Sequence, residues 1–178
     1  MRIGIKIIIF LLTLSILSCK DSVGKPKTKK EIPEFIHTEV GFSLPSSIGI
    51  INDFGQVFTE PQRTELKKLI SDYIVNSTKE IVIVTIDSIN PYDDIKKYAI
   101  DLGNDWGVGA LKWNNGLTIV LCKPCRKIGI ATGTGTEQIL TNKICKDVIE
   151  NKIIPELRKG DFFNGIKSGL IELINSWK

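Results

Sequence analysis

Apolar residues Leu66, Leu69, Ile70, Tyr73 and Ile74 fall on one stripe at helical spacing, which predicts an amphipathic helix. Its start is signalled by Thr59-Glu60-Pro61-Gln62, where Thr59 can cap, Gln62 can close the box and Pro61 suits the first turn. The run Ile81-Val82-Ile83-Val84-Thr85-Ile86 is β-branched throughout, as expected of a strand covered on both faces. Asn90-Pro91 then opens a second helix, with Ile95, Tyr98, Ala99, Leu102 and Trp106 along its inner stripe. Residues 116–121 and 127–131 read as two strands, and the short Cys122-Lys123-Pro124-Cys125 link between them predicts a hairpin. Thr141 begins another helix with Ile144, Val148 and Ile149 inward, and Pro155 either interrupts it or starts a new turn. Asp161 caps a last helix whose inner face holds Phe163, Ile166, Leu170, Leu173 and Trp177. Strands alternating with helices predict an α/β fold, an α/β/α sandwich around a mixed sheet of about four strands.

The first residues read differently. Arg2 and Lys6 precede or punctuate an apolar run that extends from Ile7 to Leu17. It is too short for a good membrane span and reads as the core of a signal peptide over residues 1–18. It ends in Ile16-Leu17-Ser18-Cys19, which resembles the bacterial lipobox, and that resemblance implies lipidation of Cys19. The chain is thus expected to be a membrane-anchored lipoprotein of the cell envelope, facing outside the cytoplasm. Residues 19–39 are rich in Lys, Pro, Ser and Thr and poor in large apolar side chains, the composition of a flexible tether. A single domain over residues 40–178 follows, of a length that can bury its own core.

Charge narrows the function classes. Of the 178 residues 24 are Lys or Arg and 20 are Asp or Glu, but the excess of base sits in the first 30 residues. From Val40 onward there are 17 bases and 16 acids, so no basic footprint for nucleic acid is expected. His37, in the tether, is the one histidine. Ser-His-Asp and Cys-His chemistry are therefore excluded within the domain.

Several short motifs occur in a fixed order. They are Asn52-Asp53-Phe54-Gly55, Trp106-Gly107-Val108-Gly109, Asn114-Asn115-Gly116 and Gly133-Thr134-Gly135-Thr136-Glu137 followed by Leu140. Ile154-Pro155 leading into Gly160-Asp161-Phe162-Phe163 completes the series. In order and spacing, over about residues 45–177, the chain resembles the TPM domain family. The resemblance implies an α/β/α sandwich, an envelope or thylakoid setting, and binding of Ca²⁺ or Mg²⁺. For some members it also implies metal-dependent phosphomonoester hydrolysis, while others only assist assembly. This chain departs from the family pattern in having Asn114 and Asn142 where acids are common.

The residues themselves offer oxygen donors, which suit hard cations. The loop from Gly107 to Asn115 and the turn at Gly133–Glu137 are expected at one rim of the sheet, so that Asp105, Asn114, Asn115 and Glu137 converge there. Asp53 matches the acidic loop of the family and joins them as a candidate ligand, although simple βα geometry puts it near Asp87 on the opposite rim. Each also has an ordinary role, as a helix-flanking cap, a turn former or a first-turn charge. Gly133, Thr134, Gly135 and Thr136, between a strand and a helix, can turn N–H groups toward a phosphate or form a plain turn. They lack the spacing of a dinucleotide or Walker motif. A metal-activated water oriented by Asp53 or Glu137 would then make these two the catalytic residues of a phosphatase. The alternative is a non-catalytic envelope binding or assembly module with the same domain, monomeric when separated from its anchor, and an envelope protein as its partner.

Cys122 and Cys125 raise a rival, a thiol–disulfide redox protein. Such pairs generally sit at a helix N-terminus, and this one precedes a strand. A local disulfide or two unpaired thiols remain for it. Cys145 falls on the inner side of a helix and reads as a small core residue.

Overall fold

The computed structural model describes residues 42–75 and 77–178, which lie in one compact unit, Glu39–Lys178. The residues read as a signal sequence and a tether, with Cys19 and His37, lie outside the described residues. Among the described residues no helix is long and apolar enough to cross a membrane.

Four strands form one sheet in sequential order: β1 (Ile51–Asp53), β2 (Glu80–Ile86), β3 (Gly116–Cys122) and β4 (Lys127–Thr132). The first three are parallel and β4 returns antiparallel to β3, so the sheet is mixed. Six helices accompany them among the described residues: α1 (Glu60–Val75), α2 (Ile95–Asp105), α3 (Thr134–Glu137), α4 (Asn142–Val148), α5 (Ile154–Arg158) and α6 (Phe162–Ser176). Every residue of β3 is buried, because helices cover the sheet on both faces. On one side Ile81, Ile83, Leu117, Ile119 and Ile130 meet Leu66 and Ile70 of α1 and Ile166, Leu170 and Leu173 of α6. On the other, Val84, Ile86, Val120 and Ala131 meet Ile95, Tyr98, Ala99 and Leu102 of α2. The alternation of side chains along a strand thus feeds two separate cores.

The start of α1 follows its sequence signals. Thr59 N–H donates to Gln62 Oε1 at 2.8 Å and Arg63 N–H to the Thr59 carbonyl at 2.9 Å. Thr141 and Asp161 cap α4 and α6 by accepting from Ile144 N–H and Asn164 N–H. Cys145 is buried, and burial pushes its thiol up to about 11.

Three details depart from the expectations. β1 is a strand where the sequence reads as loop, because three residues are too few to display alternation. The second helix starts not at Asn90-Pro91, a cis peptide within a turn, but at Ile95, where Asp94 supplies the cap by accepting from Lys96 N–H. At Pro155 the helical path neither stops nor continues as α-helix. A π-helical segment, Ile149–Ile153, joins α4 to α5, with Ile154 N–H reaching back five residues to the Ile149 carbonyl. Pro155, which has no N–H to give, follows directly.

The end of α6 is fastened to the start of the sheet. Trp177 is 1% exposed, and its carbonyl accepts from the Tyr73 hydroxyl at 2.5 Å and from Lys79 Nζ. Lys79 Nζ also lies 5.0 Å from the Trp177 ring centroid. Burial pushes the Tyr73 hydroxyl up to about 12 and the Lys79 amine down. Trp177→Ala is expected to cost about 3–5 kcal/mol of unfolding free energy, read from the urea midpoint with an unchanged slope.

Candidate functional site

The candidate residues divide between the two ends of the sheet. β2 gives the scale: Glu80 pairs with Gly116 at one end, and Thr85 pairs with Asp53 at the other. Five residues of strand separate the two, about 16 Å at the usual rise.

Asp53 closes β1, and its side chain is 3% exposed. Its Oδ1 accepts from Val57 N–H at 2.9 Å and from the Thr85 hydroxyl at 2.6 Å. Its Oδ2 accepts from Phe58 N–H at 3.0 Å and from Arg63 at 3.0 Å. Burial pushes this carboxyl upward, but the hydrogen bonds from Thr85, Val57, Phe58 and Arg63 together hold it below its ordinary value. Four donors fill the positions a carboxylate offers. Asp53 therefore organises the turn into α1, and it lies at the other end of the sheet from Asp105, Asn114, Asn115 and Glu137, with which the sequence groups it as a candidate cation ligand. The simple βα geometry is the one realised.

At the opposite end, Asn115 is buried and works as a bracket. Its Nδ2 donates to the Thr78 carbonyl at 2.6 Å, and its Oδ1 accepts from Ala110 N–H at 2.9 Å. Asn114 takes a left-handed backbone, φ 44°, which asparagine tolerates better than most residues. The Asn114 carbonyl accepts from the N–H groups of Gly135 and Thr136 at 3.1 and 3.4 Å. Gly133 N–H donates to the Gly116 carbonyl at 2.9 Å. A Cβ at Gly133 would collide with the Asn114 carbonyl, and one at Gly135 with the Trp113 carbonyl. The glycines are there so that two backbones can touch. Of the four residues Gly133, Thr134, Gly135 and Thr136, which read as a phosphate cradle or a plain turn, three donate their N–H groups to backbone carbonyls.

Glu137, exposed on α3, accepts from Asn142 Nδ2 at 2.8 Å, and Asn142 Oδ1 accepts from Lys96 Nζ at 2.5 Å. An ammonium thus ends the chain that begins at this carboxylate. Asp105 is exposed at the end of α2, which delivers the chain to the same end of the sheet. The structure therefore brings Asp105, Asn114, Asn115 and Glu137 to one rim and leaves Asp53 at the other. Ca²⁺ asks for about six to eight oxygens and Mg²⁺ for an octahedron. Among the described residues no group of three His, Cys, Asp or Glu is placed to hold a metal ion.

Of the two readings left for the CxxC pair, the disulfide is the one formed. Cys122 and Cys125 are joined in a disulfide across the β3–β4 turn. Beside it opens a cleft of about 920 Å³ lined by Lys123, Arg126, Lys127 and Arg158 over an apolar floor. The close spacing of three cations around the CxxC link was the available signal. Arg158, however, comes from α5 and is brought in only by the fold.

Two substitutions test this assignment of roles. Asp53→Asn is expected to lower unfolding free energy by about 2–3 kcal/mol at neutral pH, measured by urea unfolding. The folded-state pKa lies below 3.8, so the contribution is full above that value and is lost as pH falls through the folded pKa. The gap between wild type and variant should close only in that acid range. Thr136→Val concerns a hydroxyl that is buried with no hydrogen-bond partner among the described residues. Removing it should leave the melting temperature unchanged or raise it, by up to about 1 kcal/mol in stability.

Comparison with known proteins follows this geometry. A family model described as the TPM domain matches residues 51–176. A search of curated proteins found no match. Among solved structures, the N-terminal domain of a Porphyromonas protein, given as P.gingivalis, is similar with 25% identity and a TM-score of 0.66, covering 71% of this chain and 80% of that one. The N-terminal domain of cg2496 from Corynebacterium glutamicum has 19% identity and a TM-score of 0.58, over 78% of this chain and 86% of that one. Protein BA42 from Bizionia argentinensis also has 19% identity and a TM-score of 0.58, over 68% and 86%. The last two likenesses show the fold alone. With its motifs in register and most of its length matched, the chain belongs to the TPM domain family.

Proposed function

We propose that this chain is a non-catalytic binding or assembly module of the cell envelope. The reading is supported above all by the way the Asn114–Glu137 rim spends its polar groups internally. Asn115 Oδ1, the Asn114 carbonyl and the N–H groups of Gly133, Gly135 and Thr136 all have protein partners. Glu137 is likewise engaged, through Asn142, with the ammonium of Lys96. Such a rim is a stiff scaffold with few groups left to polarise a phosphoryl oxygen. The envelope setting rests on the signal sequence and on the lipobox at Cys19.

The second reading, a phosphomonoester hydrolase dependent on Ca²⁺ or Mg²⁺, has one observation in its favour. Asp105, Asn114 and Glu137 are exposed at the same end of the sheet. They would offer two carboxylates and one amide oxygen to a cation, with no nucleophile of the chain identified beside them.

The test uses residues 39–178, within which the sheet and both cores are complete. Release of p-nitrophenol from its phosphate ester is followed in EDTA, Mg²⁺ and Ca²⁺. The expected rate equals the buffer blank in all three. The melting temperature is expected to move by less than about 1 °C with either metal at millimolar concentration. Turnover that requires metal and disappears in Glu137→Ala would overturn the module reading in favour of the hydrolase.

A further inference from the structure

We propose that the cleft beside the β3–β4 hairpin is a binding site for a lipid-like monomer with one apolar chain and one anionic headgroup. This extends the binding-module reading by naming a ligand class, and its test does not depend on turnover. The cleft lies at the Cys122 end of β3, about 20 Å of strand away from Gly116 and the Asn114 rim.

Charge carries the argument. Lys123, Arg126, Lys127 and Arg158 line the cleft, and among the described residues no acidic one does. Of the thirteen other cations of residues 40–178, eight form ion pairs among the described residues: Arg63, Lys68, Lys97, Lys143, Lys146, Lys152, Lys159 and Lys167. None of the four cleft cations pairs with a carboxylate among the described residues. Lys127 Nζ donates to the backbone carbonyl of Asp93 at 2.8 Å, which leaves its charge uncompensated. Lys123 Nζ lies 5.0 Å from the Phe162 ring centroid, so a cation from the hairpin sits over one of the apolar lining residues. Four like charges around one opening repel one another, and an anion between them relieves that repulsion.

The floor sets the rest of the ligand. Ile128, Ile154, Leu157 and Phe162 leave an apolar surface below the cations. The volume of about 920 Å³ is in the range of small-molecule sites. A small inorganic anion would satisfy the charges and leave this floor in water, whereas an acyl chain covers it. The chain's own residues 20–30, with five lysines, have the wrong sign to occupy it. The Cys122–Cys125 disulfide fixes the backbone of the turn that carries Lys123 and Arg126 and leads into Lys127, which lowers the cost of ordering it on binding.

The test is calorimetric titration of residues 39–178 with laurate below its critical micelle concentration at low ionic strength. Backbone amide shifts mapped by NMR accompany it. Three further probes separate the parts of the ligand: dodecyl maltoside, inorganic phosphate, and vesicles containing an anionic phospholipid. Laurate is expected to bind with one-to-one stoichiometry and to move the amides of residues 121–128 and 149–162. Dodecyl maltoside and phosphate are each expected to bind at least about tenfold more weakly, and Lys123→Glu with Arg158→Glu to weaken laurate by about tenfold or more. Both substituted side chains are exposed, so the double variant should keep the wild-type melting profile. Equal affinity for the neutral detergent, phosphate binding as tight as laurate, or no effect of the double variant would each overturn the proposal. So would shifts centred elsewhere, or binding to vesicles with none to the monomer.

Discussion

One buried carboxylate joins three elements that would otherwise have little to hold them in register. Asp53 ends a strand of three residues, too short to be secured by its own ladder. Its oxygens tie the hydroxyl of Thr85 on β2, the N–H groups of Val57 and Phe58 in the following turn, and Arg63 on α1. Taking a carboxylate out of water is costly unless its lone pairs are met. Here all are met, three of the four by neutral donors and one by a guanidinium. The edge of the sheet, the turn and the first helix are consequently set as one unit. The same four hydrogen bonds engage both oxygens of Asp53 within the fold.

The two ends of the sheet spend their polar groups in opposite ways. At the Asn114 end, side-chain amides, backbone N–H groups and carbonyls close on one another, and two glycines let the segments approach within hydrogen-bonding distance. That arrangement is rigid and internally neutral, with Lys96 facing Glu137 through Asn142. At the hairpin end, cations gather over apolar side chains without carboxylate partners. A surface that is internally satisfied needs nothing from outside. One that holds uncompensated charge above an uncovered apolar floor gains from a ligand that supplies both an anion and a chain.

Much of the fold was legible because its signals are local. The β-branched run at residues 81–86, the caps at Thr59, Thr141 and Asp161, and the stripe from Ile95 to Leu102 each depend on residues within a turn or two of one another. The hairpin around Cys122 and Cys125 was legible for the same reason. β1 was not, since three residues carry no readable period and exist as a strand only through pairing with β2. The start of α2 was displaced because Asp94 is a better cap than Asn90-Pro91 is a first turn, a competition that the stripe of apolar residues does not register.

The amino-acid sequence by itself determined the alternation of strands and helices, the two-sided burial of the central strands and the family to which the chain belongs. These follow from hydrophobic period, turn chemistry and motif order, all of which are properties of neighbouring residues. Only the tertiary structure decided which oxygens and N–H groups are already spent. Asp53 and Gly135 look like ligands as residue types, yet Thr85 lies 32 positions from Asp53, and the Asn114 carbonyl lies 21 positions from Gly135. The cleft has the same origin, since Arg158 of α5 and Lys123 of the hairpin line one opening only in the folded chain. Hydrogen-bond saturation and charge pairing are settled by distance in space, and distance in space is what the order of residues along a chain leaves open.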